Sequence, residues 1–573
     1  MGALHSGKLR PAMLLFLLLA AFETGVSVAW CRIDHRPPRW DESHYLYISE
    51  YSYQQLKSFH IIRALDLHGV TGTKTGLVPF FTALSYFIVG HSPAVAAFLV
   101  NSVSFLLLAF ALISLSSMLL NTPVPGFIGT LMFQSVPIVM IWSGYYQVDL
   151  PLTAVVAFTV MLCVCIDRSD FAATPQAYLL AVSVAVGMGV KHLYVGFVAL
   201  PLAYLLLRAL LSGRAGWEAN LKSRWPVFAA VCAGVFAGAA YHLLNLHVLM
   251  EQIYRSRNIA ATGATSAAPR LWSIFTTQIW NTMPGGTALN APLLLAGAIL
   301  TCAIAGRRVT YLVLWLVGGW AAVDLGASFP LSYYLLPLMP AVTLISAAVL
   351  CFDQVVPWQR RSLRFVSWAV AICFSVFLMR IYLQQRLGTA DPIRLGHGAG
   401  VLFEPYSRVK ASPFAGRDYW DSGVVDGNTA TLPYPQDWKI GEIIQTLSGI
   451  VQRKPPSITT NARLLLDLEW MSGELFRYEL LQAGLSNRLH LTEPDFAAPA
   501  EPAAWLQNAD LLIIKSGRIF KADFYAMEWA NRSQKTTEAL LAGGGLLLKQ
   551  HGFVLVRSFS LPDHSDVGIW VKQ

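Results

Sequence analysis

The sequence predicts an all-α polytopic membrane domain of about eleven transmembrane helices plus one half-inserted outer helix, followed by a C-terminal α/β soluble domain outside the cytoplasm. Three observations predict it. Of 573 residues, 55% are hydrophobic and only 13% charged, and the mean hydropathy is +0.50, far from the soluble range. Apolar runs approaching the roughly 20 residues needed to cross the hydrocarbon recur up to Tyr382 and then stop. Past Gln384 the chain turns polar and rich in Pro and Gly, then takes up the patterning of a folded domain. The expected division is therefore a membrane domain over 1–383, with an outer loop at 31–76, and an extracytoplasmic domain over 384–573.

The predicted spans are 11–30, 94–119, 127–143, 150–166, 176–190, 193–209, 226–249, 291–305, 309–326, 333–352 and 365–382. Charge orients them. With the N-terminus cytoplasmic, the cytoplasmic loops collect Arg168; Arg208, Arg214, Lys222 and Arg224; Arg307 and Arg308; and Arg360, Arg361 and Arg364, as the positive-inside rule requires. The run "LVPFFTALSYFIVG", 77–90, is 14 residues long. At 1.5 Å per residue that makes about 21 Å against about 30 Å of hydrocarbon, so it is read as half-inserted on the outer side. A secretory signal is the rival reading of the first run. Its length of about 20 residues, its Glu23 and the lack of an A-x-A site before "WCRIDH" favour a retained span.

In the C-terminal part, "SITTNA", "RLHLTE", "ADLLIIKSG" and "FVLVRSF" read as strands and "EWMSGELFRYELLQAG" as a helix. The net charge of +9 does not mark a nucleic-acid binder, because the basic residues lie in short loops and build no basic face. All seven cysteines lie in or beside apolar runs, and no CxxC pair occurs. The sequon at Asn531 is short enough to arise by chance.

Asp41 and Glu42, in "WDESHYLYISEY", follow the first span, and Asp149, in "YYQVDLPLT", opens a later one. The predicted topology puts both points on one membrane face. A single acid at a helix end is commonly an interfacial residue; two, each preceded by aromatics, suggest a site. Lys74, Lys191, Arg255 and Arg257 fall on the same predicted face, where cations beside carboxylates would bind a lipid phosphate. Lys191 alone would equally suit snorkelling to headgroups.

In order, these motifs resemble the C-type glycosyltransferase (GT-C) superfold, most specifically the branch of protein O-mannosyltransferases and lipid A aminoarabinose transferases. The matching elements are Asp41, Glu42 and Tyr45 in the first outer loop; Lys74 before Pro79; Asp149 opening a span; Gly187, Gly189 and Lys191 at a turn; and Tyr334, Pro337 and Pro340 in "YLLPLMP". The likeness covers residues 1 to about 382. Two elements depart from the branch: "KTGLVP" stands for its usual Lys-Pro-Pro-Leu, and "FPLS" replaces the basic residue before the late Tyr.

The resemblance implies a membrane glycosyltransferase, transferring a hexose or pentose from a polyprenyl-phosphate-linked sugar donor to a hydroxyl of a lipid, glycan or protein acceptor. Catalysis is expected from Asp41 as general base of an inverting displacement, with Asp149 and Glu42 in support. Lys74, Lys191, Arg255 and Arg257 would meet the donor phosphate, and Tyr45, Tyr146 and Tyr334 the substrate. No cofactor is expected. A divalent cation on Asp41, Glu42, Asp149 and His44 is the rival reading. The expected location is a bacterial inner or cell membrane, with site and C-terminal domain on the periplasmic or extracellular side. Two other classes remain open: a polytopic transporter, although no internal repeat is found, and a catalytically inactive scaffold of the same fold.

Overall fold

The structure is a computed structural model. It describes residues 6–35, 37–38, 40–67, 75–90, 92–136, 139, 146–172, 174–212, 216–251, 286–326, 332–351, 360–387, 393–394, 401–403, 437–465, 471–492, 502–516, 528–562 and 565–573. The fold is a polytopic helical domain with a small C-terminal α/β domain, as the sequence predicts.

Two compact units divide the chain. The first is built from Met1–Trp30, Leu65–Thr82 and Ala94–Arg408, the second from Cys31–Ala64, Ala83–Pro93 and Val409–Gln573. Among the described residues, seven helical stretches are long and apolar enough to cross a membrane: Arg10–Ile33, Pro93–Leu119, Asp149–Arg168, Tyr194–Leu211, Trp225–Leu244, Leu293–Val323 and Tyr334–Cys351. The chain is an integral membrane protein. Four shorter apolar helices accompany them: Leu77–Val89, Val124–Gln134, Thr174–Val190 and Phe365–Arg380.

These stretches account for the predicted spans with local differences. The stretch over 293–323 carries two of them, separated by a 3-10 turn at Gly306–Arg308 where Gly306 has φ +55, a left-handed conformation that ends the first helix. The span predicted at 127–143 is described as a helix only over Val124–Gln134. The span predicted from 333 begins as a 3-10 segment, Ser332–Leu338, because Pro337 lacks an N–H and clashes with the preceding turn.

The helix Asp149–Arg168 is apolar all round and buried along nearly its whole length, the pattern of a helix at the centre of a bundle. At 1.5 Å per residue its 20 residues reach about 30 Å, so Asp149 and Asp167 mark opposite ends. Asp167 pairs with Arg208 at 3.0 Å, and Arg224 reaches Asp170 at 3.5 Å; this is the arginine-rich end. Glycine sets the helix spacing at several points. A Cβ on Gly126 would run into the Leu112 backbone and one on Gly297 into the Ile345 carbonyl, so only glycine lets these backbones meet.

The first unit also holds a short antiparallel pair, β1 Ile393–Arg394 and β2 Val401–Phe403. In the second unit, a five-stranded sheet has the order β4-β3-β5-β7-β6, with β3 Thr460–Leu464, β4 Leu489–Thr492, β5 Leu511–Lys515, β6 Phe553–Ser560 and β7 Asp566–Lys572. β3 pairs in parallel with β4 and β5, and β7 antiparallel with β5 and β6. Both faces are covered. Leu511 and Ile513 join the core with Ile443, Leu447 and Phe476, whereas Leu512 and Ile514 join Leu540, Leu548 and Trp570 on the other face. That is why β5 reads as an unbroken apolar run rather than an alternating one. The helix Gly473–Gln482 is capped by Ser472, whose hydroxyl accepts from the Leu475 N–H at 3.2 Å.

The stretch 31–64 belongs to the same compact unit as the C-terminal domain. The reason is the helix Trp40–Lys57. It packs against Gly473–Gln482 and buries Glu42, Ser43, His44, Tyr45, Leu46 and Ile48.

Candidate functional site

In the first unit, three elements converge on Lys191. Asp149 is the first residue of its helix, where the exposed N–H groups and helix dipole favour a carboxylate. Lys191 directly follows Thr174–Val190 and donates its backbone N–H to the Gly187 carbonyl at 3.3 Å, so its cation stands at a helix C-terminus, again the favourable sense. Its Nζ donates to Asp149 Oδ1 at 2.7 Å, with side chains 13% and 4% exposed. The Tyr334 ring, from the 3-10 segment, lies 4.6 Å from the same Nζ, within cation–π range. Tyr146 is buried three residues before Asp149 and donates its hydroxyl to Thr82 at 2.8 Å.

A small half-open crevice lies next to Lys191 in the chain, lined by Leu67, Thr75, His192, Tyr241, His242 and Asn245 among others. Its walls are tied down by side chains. Asn245 accepts the Leu67 N–H at 2.9 Å and donates to the Leu65 carbonyl at 3.2 Å. Tyr241 accepts the Gly76 N–H at 2.9 Å, and Thr75 donates to the Val190 carbonyl at 2.6 Å. His242 Nε2 lies 3.0 Å from the Met188 carbonyl, which can only accept, so that nitrogen carries the proton. His192 is pushed down to about 4 by burial, with Lys191 and His242 adding to it, and is neutral at pH 7. Lys74, Arg255 and Arg257 lie outside the described residues. Lys74 immediately precedes the bonded Thr75, and Lys191 immediately follows Val190.

In the second unit, the acidic pair opens the helix Trp40–Lys57, and both acids lie in its first turn. Asp41 is half-buried, while Glu42, His44 and Tyr45 are buried, with 5%, 5% and 4% exposed. His44 Nδ1 stands 3.1 Å from Glu474 Oε1, and Arg477 Nη1 donates to that oxygen at 3.0 Å. Burial would raise the Glu474 carboxyl; His44 and Arg477 outweigh it and hold it down at about 2. Among the described residues, no group of three or more His, Cys, Asp or Glu side chains is arranged to hold a metal ion.

The structure thus brings together Asp149, Lys191 and Tyr334 in one unit, and Asp41, Glu42 and Tyr45 on one helix of the other. Sequence reasoning missed Thr75, His192, Tyr241, His242 and Asn245. The only available signals were that His192 adjoins Lys191 and that "YHLLN" closes a span. It also missed Glu474 and Arg477, more than 400 residues away from the helix they meet.

No protein-family model matches this sequence, and no curated protein matches it. Among solved structures, the chain is similar to ArnT from Cupriavidus metallidurans bound to undecaprenyl phosphate, at 14% identity and a TM-score of 0.52 over 97% of each chain. It is similar to the apo form of that protein at 14% identity and a TM-score of 0.50, again over 97% of each. An apo oligosaccharyltransferase from Archaeoglobus fulgidus aligns at 9% identity and a TM-score of 0.49, over 95% of this chain and 72% of that one. The chain has the C-type glycosyltransferase fold.

Proposed function

We propose that the protein is a membrane glycosyltransferase that moves a sugar from a polyprenyl-phosphate donor to a hydroxyl of a lipid, glycan or protein acceptor, with inversion. The observation that carries this reading is Lys191: a cation held by Asp149 and Tyr334 beside a small crevice at the end of a membrane bundle of GT-C fold. The similar ArnT was solved with undecaprenyl phosphate. A lipid donor need never leave the bilayer, so an intramembrane bundle with a polar mouth suits both of its halves.

Lys191 meets the phosphate charge, joined by Lys74 from the loop that Thr75 ties to Val190 and by Arg255 and Arg257. Phosphate so neutralised is a good leaving group and needs little acid catalysis. The acceptor oxygen attacks the anomeric carbon as the carbon–oxygen bond to phosphate breaks and takes its electron pair. Asp41 receives the acceptor proton, Asp149 keeps Lys191 in place, and Glu42 orients the start of its helix. Tyr45 and Tyr334 supply aromatic surface to the sugar. The site and the C-terminal domain are assigned to the periplasmic or extracellular side of a bacterial membrane.

The test is transfer by purified protein from radiolabelled undecaprenyl-phosphate sugars. Wild-type protein releases or transfers label; Asp41→Asn cuts turnover by about 10²-fold or more while undecaprenyl phosphate still binds. A transporter or inert scaffold would leave every donor intact. Near-normal turnover in Asp41→Asn together with loss in Asp149→Asn would exchange the two roles.

A further inference from the structure

The helix Trp40–Lys57 ends in a turn with the hydrogen bonds of a left-handed helix cap: the Phe59 N–H donates to the Leu56 carbonyl at 2.9 Å and the His60 N–H to the Gln55 carbonyl at 2.8 Å. The left-handed position of such a cap normally belongs to glycine. Here it is held by Phe59, at φ +61, a conformation that strains a bulky side chain. Its ring gains no packing in return, because Phe59 is 90% exposed. Ile61 and Ile62 follow it at 60% and 73% exposed. The turn that presents these side chains is well tied. Ala64 is buried, its N–H donates to the His60 carbonyl at 3.0 Å, and its carbonyl accepts from the Ser52 hydroxyl at 2.9 Å. The short helix Ile61–Leu65 is thereby pinned to Trp40–Lys57, and the three apolar side chains are left outside.

The charge around them has one sign. Lys57, His60 and Arg63 are exposed, and no Asp or Glu occurs from Gln54 to Leu65. Neither Lys57 nor Arg63 forms an ion pair among the described residues. The same unit also contains the end of the apolar helix Leu77–Val89. There the Phe87 ring lies 5.0 Å from the Tyr53 ring of Trp40–Lys57 and the Tyr86 ring 5.9 Å from it, while Leu84, Phe87 and Ile88 stay exposed. Two packed helices of one unit therefore carry uncovered apolar side chains. Apolar side chains with a purely basic rim suit the boundary of a bilayer, where acyl chains take the rings and phosphates take the cations. A protein partner would have to bring acids to match that rim; the bilayer that this chain spans supplies phosphates along its whole surface.

We propose that the turn Lys57–Arg63 is a membrane wedge: Phe59, Ile61 and Ile62 enter the boundary between headgroups and acyl chains, and Lys57 and Arg63 bind the phosphates of anionic phospholipids. Burial of the ring in lipid offsets the strain of its backbone, which explains a phenylalanine where glycine would sit more easily. The wedge anchors one end of the helix whose other end carries Asp41, about 24 Å away along the axis. It is independent of the transferase activity proposed above.

The test puts the photo-crosslinker benzoylphenylalanine at position 59 of the full chain, in nanodiscs of phosphatidylcholine and phosphatidylglycerol. The same probe at exposed Asn487 serves as reference. After illumination, mass spectrometry should find phospholipid adducts at position 59 and far fewer at 487. In the double variant Lys57→Gln, Arg63→Gln, the preference for phosphatidylglycerol over phosphatidylcholine at position 59 should fall by about tenfold or more. Its unfolding temperature should stay that of wild type, because both side chains are exposed. A crosslink from position 59 to a second copy of the chain, or to another part of the same chain, in place of lipid overturns the proposal. Equal lipid labelling at 59 and 487, no adduct at either, or an unchanged phosphatidylglycerol preference in the double variant overturns it as well.

Discussion

Lys191 Nζ and Asp149 Oδ1 stand 2.7 Å apart, one at the C-terminus of a helix and the other at the N-terminus of its neighbour. Both helix dipoles favour the charge placed on them, so the pair sits in a field that stabilises each partner separately. Its near-burial means that removing one partner strands the other.

A double-mutant cycle follows from that geometry. Asp149→Asn and Lys191→Met should each lower the unfolding temperature, and together cost less than their sum, with a coupling of about 1–3 kcal/mol. Ligand binding should separate them. Lys191→Met weakens undecaprenyl phosphate binding by about 10-fold or more, whereas Asp149→Asn keeps the cation and retains the binding. Equal losses in both variants would mean that the pair is structural only.

Gly187 is the second lever on the same turn. A Cβ there would lie 2.2 Å from the Tyr194 ring, and Tyr194 is anchored by a 2.7 Å hydrogen bond between its hydroxyl and Thr159. The ring has nowhere to retreat, because it is fully buried. Gly187→Ala should therefore cost about 1–3 kcal/mol through overpacking and weaken lipid phosphate binding, since the displaced turn carries Lys191. Unchanged melting and binding would show that the turn accommodates the methyl.

The helices and the central strands were legible because their signals are local. Apolar length marks a span, and an apolar run such as "LLIIK" marks a strand covered on both faces. Lys191 and Asp149 were each singled out as site residues for the same reason, since each stands at a helix end that topology alone can place. The lining of the cleft was not legible. Tyr241, His242 and Asn245 are ordinary residues near the end of an apolar helix until the loops at Leu65–Leu67 and Thr75–Gly76 fold onto them. Glu474 was hidden for a deeper reason. Its helix reads as an amphipathic element of a soluble domain, and nothing in its spacing says that the surface at Glu474 and Arg477 meets His44. β7 was missed because its alternation is interrupted by Gly568.

Glu23, used above only to argue that the first span is retained, is a buried carboxylate that accepts hydrogen bonds from neighbouring side chains. Ser27 donates to Oε1 at 3.0 Å and Tyr382 to Oε2 at 2.9 Å, while Gln134 also donates to Oε2. These donors come from its own helix, from Val124–Gln134 and from Arg360–Leu387, so one side chain ties three helices together. Glu23→Ala leaves the Gln134 amide and the Tyr382 hydroxyl unmatched inside the protein and should destabilise it by about 2–4 kcal/mol. Glu23→Gln keeps an acceptor and should cost less. Melting of the purified protein decides it, and wild-type stability in Glu23→Ala would remove the tie.

Glu479, on the helix that faces Trp40–Lys57, gives the second unit a pH dependence opposite in sign to that of Glu474. Burial pushes the Glu479 carboxyl up to about 7, whereas the unfolded chain ionises near the ordinary value of about 4.3. Between those limits the folded state binds more protons, so stability falls as pH rises from about 4.3 to 7 and stays at its lower level above. Glu474, held at about 2, acts in the other direction and in another window. Its contribution is complete above about pH 4.3 and is lost as pH falls towards 2. The two windows barely overlap, so they can be read apart. Glu479→Gln, permanently neutral and nearly isosteric, should match wild type at pH 4 and exceed it by about 3–4 kcal/mol at pH 8. Hydrogen exchange at the β5 amides, Leu511–Lys515, reports on this unit within the intact chain. Parallel pH curves for the two proteins would mean that Glu479 reaches water on folding, and that burial sets no proton on it.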